Sequence, residues 1–290
     1  MSISHPRNLI AFLSENGLYA KKSASQNFLV DENIVHKILK EAKVLPGDLI
    51  LEIGPGPGAL TEALLKMGCR VCAVEKDPKL AELLRRLCPD ESLLQIFSED
   101  FLEFPVEEFL QKNLPPGKKA KVVANLPYHI TTPILTKLVP LHSLLSDLVV
   151  MVQKEVAERC IAKEGEENYS SLSLFLQFFT KPKYGFTVEP TCFLPKPSVQ
   201  SAIIHFELKE SPAVADQNFL FELIRTSFGK RRKMLRTSLK EILPSAFVEE
   251  ALKKQKLNPL CRPEELSLNQ FIILCADLLP LINDSLKDEK

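Results

Sequence analysis

The sequence lacks a dominant charge: lysine plus arginine and aspartate plus glutamate number 37 each in 290 residues. The chain as a whole is therefore not drawn to nucleic acid or to an anionic membrane, and any such attraction has to come from a local cluster. It also lacks a long apolar run. Leu148–Val152 is the densest stretch, far short of the roughly 20 residues that a membrane-spanning helix needs. No secretory apolar segment follows Met1, and seven cysteines, an odd number, are scattered between Cys69 and Cys275. Both features point away from a disulfide framework and toward free thiols in a reducing cytoplasm. Metal-ligand spacing is missing too, because the five histidines are dispersed and Cys69-Arg-Val-Cys72 has no second cysteine pair to complete a zinc site. A three-residue offset in a strand would also turn those two thiols to opposite faces. The absence of tryptophan excludes nothing. What remains, 45% apolar and 26% charged, is ordinary globular composition, long enough for one large domain and a smaller one.

Strand and helix patterns alternate through the first two thirds of the chain. Leu49-Ile-Leu-Glu-Ile53 reads as a buried strand opening onto Gly54-Pro-Gly-Pro-Gly58. Leu60, Ala63, Leu64 and Met67 then recur at helical spacing, and Gly68 stops the pattern as a C-terminal cap would. Val71–Val74 predicts a second strand ending at Glu75; Leu80, Leu83, Leu84 and Leu87 predict a second helix; Leu93–Phe97 predicts a third strand ending near Asp100. Lys121–Ala124 and Leu148–Val152 add two strands, Ser171–Phe179 looks helical, and Ala202–Leu208 reads as the last strand. This alternation predicts an α/β architecture with a mostly parallel sheet. Beyond the polar stretch 209–218 no convincing strand occurs. Phe219–Phe228, Arg231–Leu243, Phe247–Leu257 and Pro263–Leu279 all show helical spacing, the last opened by Pro263 and two acids. A domain boundary is expected near residue 209, separating a domain 1–208 from an all-helical domain 209–290.

Gly54-x-Gly56-x-Gly58, between strand and helix, lets the backbone approach a ligand where a Cβ would clash. Glu75, about twenty residues on and at the end of the next strand, sits where a carboxylate can accept both hydroxyls of a ribose. The prolines at 55 and 57 displace the third glycine from the dinucleotide pattern G-x-G-x-x-G. These residues favour S-adenosylmethionine over a nicotinamide dinucleotide, with a ligand-free tight turn as a third reading. Asp100, at the third strand end, is either an acceptor for the exocyclic amine of an adenine ring or an ordinary loop acid.

Asn125-Leu-Pro-Tyr128 follows a later strand. In open α/β sheets ligands collect at the carboxyl ends of the strands, so this motif and the glycine loop should border one crevice. An exocyclic aromatic amine is a poor nucleophile because its lone pair is conjugated into the ring, so methyl transfer to it needs acceptors that hold its N–H bonds. Asn125 supplies a side-chain oxygen. Leu126 supplies a carbonyl, and Pro127 removes a backbone donor and stiffens the turn. Tyr128 offers a face for stacking, worth roughly 1–3 kcal/mol per base in nucleic-acid sites. In isolation the tetrapeptide is a turn after a strand; three strands beyond a glycine loop it reads as an amine clamp.

Arg225 to Lys240 contains basic residues and no acid. On a predicted helix, Leu235, Leu239 and Ile242 form the buried stripe and Arg231, Arg232 and Arg236 project outward. A one-sided basic helix on a neutral chain suggests phosphate contacts, the alternative being a solvated face.

Taken together, these segments resemble the KsgA (RsmA) family of ribosomal RNA adenine dimethyltransferases. The residues that carry the likeness are Gln26-Asn-Phe-Leu29, Glu52-Ile-Gly-Pro-Gly56 with Leu60-Thr61, Glu75, Asp100, Asn125-Leu-Pro-Tyr128, Gln153-Lys-Glu-Val156, Phe193-x-Pro-x-Pro-x-Val199-x-Ser201, and Phe228-x-x-Arg-Arg-Lys233-x-x-Arg236-x-Ser-Leu239. They run in family order from about residue 21 to 279. The resemblance implies a Rossmann-like S-adenosylmethionine-dependent methyltransferase domain followed by a small helical, RNA-binding domain. It implies methylation of N6 on two adjacent adenosines near the 3′ end of small-subunit (16S) rRNA, within an immature subunit, by a cytoplasmic monomer that uses no metal. Carried over by position, Asn27, Leu29, Gly54, Glu75, Asp100 and Asn125 would line the S-adenosylmethionine site. Leu126, Pro127, Tyr128 and Phe193 would hold the target adenine, Phe193 as a second aromatic wall; Arg231, Arg232, Lys233 and Arg236 would meet RNA. Local departures are Ala24-Ser25 before the Gln-Asn-Phe-Leu segment, His129 after the clamp, and Thr237.

Three other functions compete. Antibiotic-resistance methylases acting on large-subunit rRNA share Gln-Asn-Phe and the clamp, but the Phe-x-x-Arg-Arg-Lys segment and the proline-rich lead-in favour the small-subunit family. Protein-glutamine and DNA-adenine methyltransferases more often carry Asn-Pro-Pro-Tyr, where this chain has Leu126. A ribosome-assembly factor with vestigial catalysis is the third, against which stand the intact Glu75, Asp100 and Asn125.

Overall fold

Short apolar runs flanked by glycine, proline and acidic caps build the observed elements. The computed structural model describes residues 3, 5–18, 27–230 and 232–288, with side chains described to residue 282. Ala24, Ser25, Gln26 and Arg231, all singled out above, lie outside the described residues. In chain order the elements are α1 (Pro6–Glu15), β1 (Phe28–Leu29), α2 (Glu32–Glu41), β2 (Leu49–Ile53), α3 (Ala59–Lys66), β3 (Arg70–Val74), α4 (Pro78–Leu84), β4 (Leu94–Phe97), α5 (Val106–Asn113), β5 (Ala120–Asn125), α6 (Thr131–Leu138), β6 (Leu145–Gln153), α7 (Lys154–Ile161), α8 (Ser171–Phe179), β7 (Thr180–Val188), β8 (Phe193–Leu194), β9 (Ser201–Leu208), α9 (Gln217–Phe228), α10 (Leu235–Ser238), α11 (Ser245–Lys254) and α12 (Leu268–Asp288). No helix among the described residues is long and apolar enough to cross a membrane.

Seven strands form one sheet in the order β4-β3-β2-β5-β6-β9-β7. The first five are parallel, while β9 runs antiparallel to both β6 and β7. All five residues of β2 are buried, as a parallel strand with both faces covered requires. Ile50, Leu64, Ala73, Val123, Val149 and Met151 form part of one core cluster; each large aliphatic side chain there contributes about 1.5–3 kcal/mol through burial. The chain leaves β2 toward β3 and β4, then returns to the other side of β2 at β5. Strand order thus reverses beside β2, and a crevice opens at the carboxyl ends of β2 and β5.

β7 has no counterpart in the strand pattern expected from sequence. Pro182 and Gly185 obscure it, and its register with β9 breaks between Tyr184 and Thr187. As the last strand of the order it is an edge, where a proline without an N–H is tolerated.

The chain divides into two compact units, Met1–Ala157 with Thr180–Lys209, and Glu158–Phe179 with Glu210–Lys290. A single boundary near 209 therefore assigns 158–179 to the wrong partner. α8 is apolar around most of its circumference, burying Leu172, Leu174, Leu176, Phe178 and Phe179. Its Phe175 and Phe178 rings meet Phe221 of α9 at 4.9 and 5.1 Å. Tyr169, fully buried, donates its hydroxyl to the Leu266 carbonyl at 3.0 Å.

The helix expected over Arg231–Leu243 is also corrected. Among the described residues of that range only α10 and a 3-10 turn at Leu239–Glu241 form, and Lys233 N donates to the Lys230 carbonyl at 2.8 Å in a turn. Gly229 followed by uninterrupted cations carries little helix-stabilising force and no acidic neighbour at helical spacing. Pro263 likewise opens a 3-10 turn, Pro263–Glu265, and α12 starts only at Leu268.

Candidate active site

The turn after β2 places backbone, with no side chain in the way, at the mouth of the crevice. Gly56 has φ 57° and the Phe28 ring lies 3.0 Å from where its Cβ would be; Gly58 has φ 96°, and a Cβ there would meet Leu87 and Leu84 at 2.6 and 2.7 Å. Any other residue at either position would strain the turn or displace the packing around it.

Glu75 follows β3 and is 7% exposed. Its Oε2 accepts from Gly56 N and its Oε1 from Asp77 N, both at 2.9 Å. Burial pushes its carboxyl up, and these backbone amides oppose the shift. Glu75 is thus a strut for the glycine turn as well as a wall of the crevice, and each oxygen keeps a lone pair for a ligand hydroxyl.

Glu52, inside β2, is 1% exposed and accepts from Thr61 Oγ1 at 2.7 Å. Burial pushes its carboxyl up from 4.5 to about 8, against the pull of that hydroxyl. The folded chain therefore holds this proton more tightly than the unfolded one. The stability so contributed is complete below about 4.5 and is lost as pH rises through about 8. Glu52→Gln, a neutral isostere, is expected to out-melt the wild type by a margin that grows between about pH 4.5 and pH 8 and levels off above it. Parallel melting profiles would mean that Glu52 is ionised in the fold.

Asp100, beyond β4, accepts from Leu102 N through Oδ1 at 2.9 Å and pairs through Oδ2 with Lys76 Nζ at 2.8 Å. The Lys76 ammonium holds its carboxyl below the usual range. Lys137 on α6 donates to the carbonyls of Phe101, Leu102 and Phe104 at 3.1, 2.6 and 2.8 Å, fixing the loop that carries Asp100. Neither lysine belongs to a motif singled out in the sequence. Lys76 adjoins Glu75 and was open to notice, whereas nothing local marks Lys137.

Asn125 ends β5, and its Nδ2 donates to the Asn27 carbonyl at 3.1 Å, which leaves Oδ1 as the acceptor end of the amide. The Leu126 side chain is buried and its N–H donates to the Met151 carbonyl at 3.1 Å, so its own carbonyl is what it can offer a ligand. Pro127 passes its carbonyl to Ile130 N and to the Thr131 hydroxyl, both at 3.2 Å, starting α6. Tyr128 is half-buried, with its hydroxyl 2.7 Å from Ser201 Oγ; burial pushes its phenol up, keeping it protonated.

One cavity of about 640 Å³ joins these groups: Asn27, Leu29, Gly54, Glu75, Asp100, Asn125, Leu126, Pro127 and Tyr128 all line it. Phe193 does not. It is 1% exposed, pairs through its backbone with Leu29, and packs in the core cluster with Val188 and Ile203, so the tyrosine borders the cavity without the expected second ring. Phe28, Leu9, Phe101 and Ile130 are lining residues that the chemistry of the motifs did not single out. Leu9 comes from α1, whose signal was present in Pro6 at its first turn and in Leu9 and Leu13 on one face. In the second unit Arg232 and Lys233 are exposed, while Arg236 is ion-paired with Glu249 and Lys230 with Glu241. Cys69 and Cys72 are buried free thiols.

A family model for ribosomal RNA adenine dimethylase matches residues 17–276. The chain belongs to this family. Similar proteins include the ribosomal RNA small subunit methyltransferase A of Protochlamydia amoebophila, 51% identical over 96% of this chain and 98% of that one. Its counterpart in Chlamydia caviae is 44% identical over 94% and 97%. Among solved structures, a dimethyladenosine transferase from Plasmodium falciparum superposes with a TM-score of 0.70 at 26% identity, over 87% of this chain and 98% of that one. The 23S rRNA methyltransferase ErmE shares the fold, with a TM-score of 0.66 at 23% identity over 87% and 99%. The dimethylase is accordingly a methyltransferase, its Rossmann-like sheet followed by a helical C-terminal region.

Proposed function

We propose that the dimethylase transfers methyl groups from S-adenosylmethionine to N6 of two adjacent adenosines near the 3′ end of small-subunit (16S) rRNA, within an immature subunit, as a cytoplasmic monomer. The observation that carries this reading is the convergence of Asn125–Tyr128 with Glu75 and Asp100 on one cavity at the strand-order reversal. The same cavity is lined by Glu75, Asp77, Glu99 and Asp100, besides Glu52, whose carboxyl burial keeps protonated, with Lys76 the one lysine or arginine among the described lining residues. That balance suits a ligand carrying positive charge and disfavours the pyrophosphate of a nicotinamide dinucleotide. When bound, S-adenosylmethionine supplies a methyl group already activated on a sulfonium.

The chain's own contribution is positional. Glu75 accepts the ribose hydroxyls, Asp100 accepts the adenine amine of the cofactor, and Asn27, Leu29 and Gly54 close the walls. Asn125 Oδ1 and the Leu126 carbonyl accept the N–H bonds of the target amine, which favours the pyramidal nitrogen of the transition state. Tyr128 stacks the base. The amine needs acceptors more than a strong base, because the donor is already activated. Curated relatives named for the small subunit, at 44–51% identity, weigh against a large-subunit target.

The decisive experiment supplies labelled S-adenosylmethionine with undermethylated small and large subunits and maps the label. It is expected on N6 of two adjacent small-subunit adenosines; label confined to large-subunit RNA or to protein overturns the proposal.

RNA phosphates are the proposed partners of Arg231, Arg232, Lys233 and Arg236. Removing Arg232 and Lys233, which are exposed, is expected to weaken subunit binding. It should also reduce the log–log salt slope by about 0.7–0.9 for each phosphate left without its cation, leaving cofactor affinity untouched. A wild-type slope would return these side chains to the status of a solvated surface. Arg236 is the less clean test, since its removal also strands Glu249.

A further inference from the structure

The proline-rich lead-in to β9 ends in Ser201, a residue that the chemistry above leaves without a role. Ser201 is fully buried and does not line the cavity. It is the first residue of β9 and is paired on both sides, to Gln153 of β6 and to Val188 of β7. A strand held from both flanks is among the least mobile supports a sheet offers. Its Oγ lies 2.7 Å from the hydroxyl of Tyr128, which sits 73 positions earlier in a single 3-10 turn, Tyr128–Ile130.

We propose that Ser201 is a positioning residue for the target base, anchoring the phenol of Tyr128 and so fixing the direction of the ring's long axis and the place of the face on which the base stacks. This rests on the reading of Tyr128 as the stacking platform. A ring tethered only through its own Cβ can tilt about its side-chain torsions, and the base would tilt with it, away from Asn125 and the Leu126 carbonyl. With the hydroxyl tied to β9, the ring is held at both ends, and the amine meets its acceptors in one orientation. The anchor acts on orientation, so it should affect the methyl-transfer step and leave the cofactor alone.

The test compares Ser201→Ala, Tyr128→Phe and the double variant in single-turnover methyl transfer to undermethylated small subunits, with S-adenosylhomocysteine affinity and melting temperature measured alongside. Each single variant is expected to slow transfer about 3- to 10-fold, the effect of removing one neutral hydrogen bond. The double variant should be no slower than either single one, because both remove the same bond. Affinity for S-adenosylhomocysteine should stay at the wild-type value. Wild-type transfer rates in both single variants, or fully additive losses in the double, overturn the anchor. Tyr128→Ala separates this from the underlying reading: a loss of transfer there with no effect of Tyr128→Phe or Ser201→Ala discards only the anchor. Wild-type transfer by Tyr128→Ala discards the stacking platform itself.

Discussion

Asn125→Ala is expected to lower single-turnover methyl transfer by about 10²–10³, the usual loss when one transition-state acceptor is removed. The effect should fall on the rate more than on substrate affinity, because the hydrogen bond to Oδ1 strengthens as the amine nitrogen becomes pyramidal. Nδ2 also holds the Asn27 carbonyl at 3.1 Å, so the same change loosens one cavity wall, and a modest drop in S-adenosylhomocysteine affinity should accompany the rate loss. Asn125→Asp divides the two contributions: it keeps an acceptor and discards the donor to Asn27. Near-normal transfer by Asn125→Ala would remove the clamp from the mechanism.

Glu75→Ala is expected to weaken S-adenosylhomocysteine binding by roughly one to two orders of magnitude, since unpaired hydroxyls in a closed site cost roughly 1–3 kcal/mol. Subunit binding should change little. The melting temperature should fall as well, because Gly56 N and Asp77 N lose their acceptor together with the ligand's hydroxyls. Glu75→Gln keeps one acceptor oxygen and is expected to lie between the two. Calorimetry with S-adenosylhomocysteine and with NAD reads the outcome directly. Unchanged affinity for the former, or tight binding of the latter, would end the case for this cofactor site.

Both side chains are legible in the sequence because their signals are local. Glu75 ends a strand about twenty residues after a glycine turn, and Asn125 follows an apolar run and precedes a proline; residue type, spacing and element boundary all lie within one short stretch. The same holds for β2, β3 and β5, which are short continuous apolar runs, and for α3, whose apolar residues recur at helical spacing. Even the joining of the two motifs in one cavity follows from their places at strand ends of one sheet.

Other features depend on which distant segment comes to lie alongside, and no local pattern carries that. β7 contains Pro182 and Gly185, and only its place at the sheet edge makes it a tolerable strand. Residues 158–179 precede three strands of the first unit yet pack with α9, because Phe175, Phe178 and Phe179 meet Phe221. Phe193 belongs to the motif that suggested a second aromatic wall, but its pairing with Leu29 turns it into the core. Arg236 stands in a stretch with basic residues and no acid and is nonetheless matched by Glu249, thirteen positions away on α11. The sequence by itself determined the alternating α/β order, the glycine turn, the carboxylates at the strand ends and the amine clamp, all set by backbone period and side-chain chemistry over a few residues. Only the tertiary structure decided that Glu75 supports the turn it faces, that Lys76 and Lys137 hold Asp100 and its loop, and that Ser201 meets Tyr128. Those are contacts between segments far apart in the chain, selected by packing of the whole sheet rather than by any local preference.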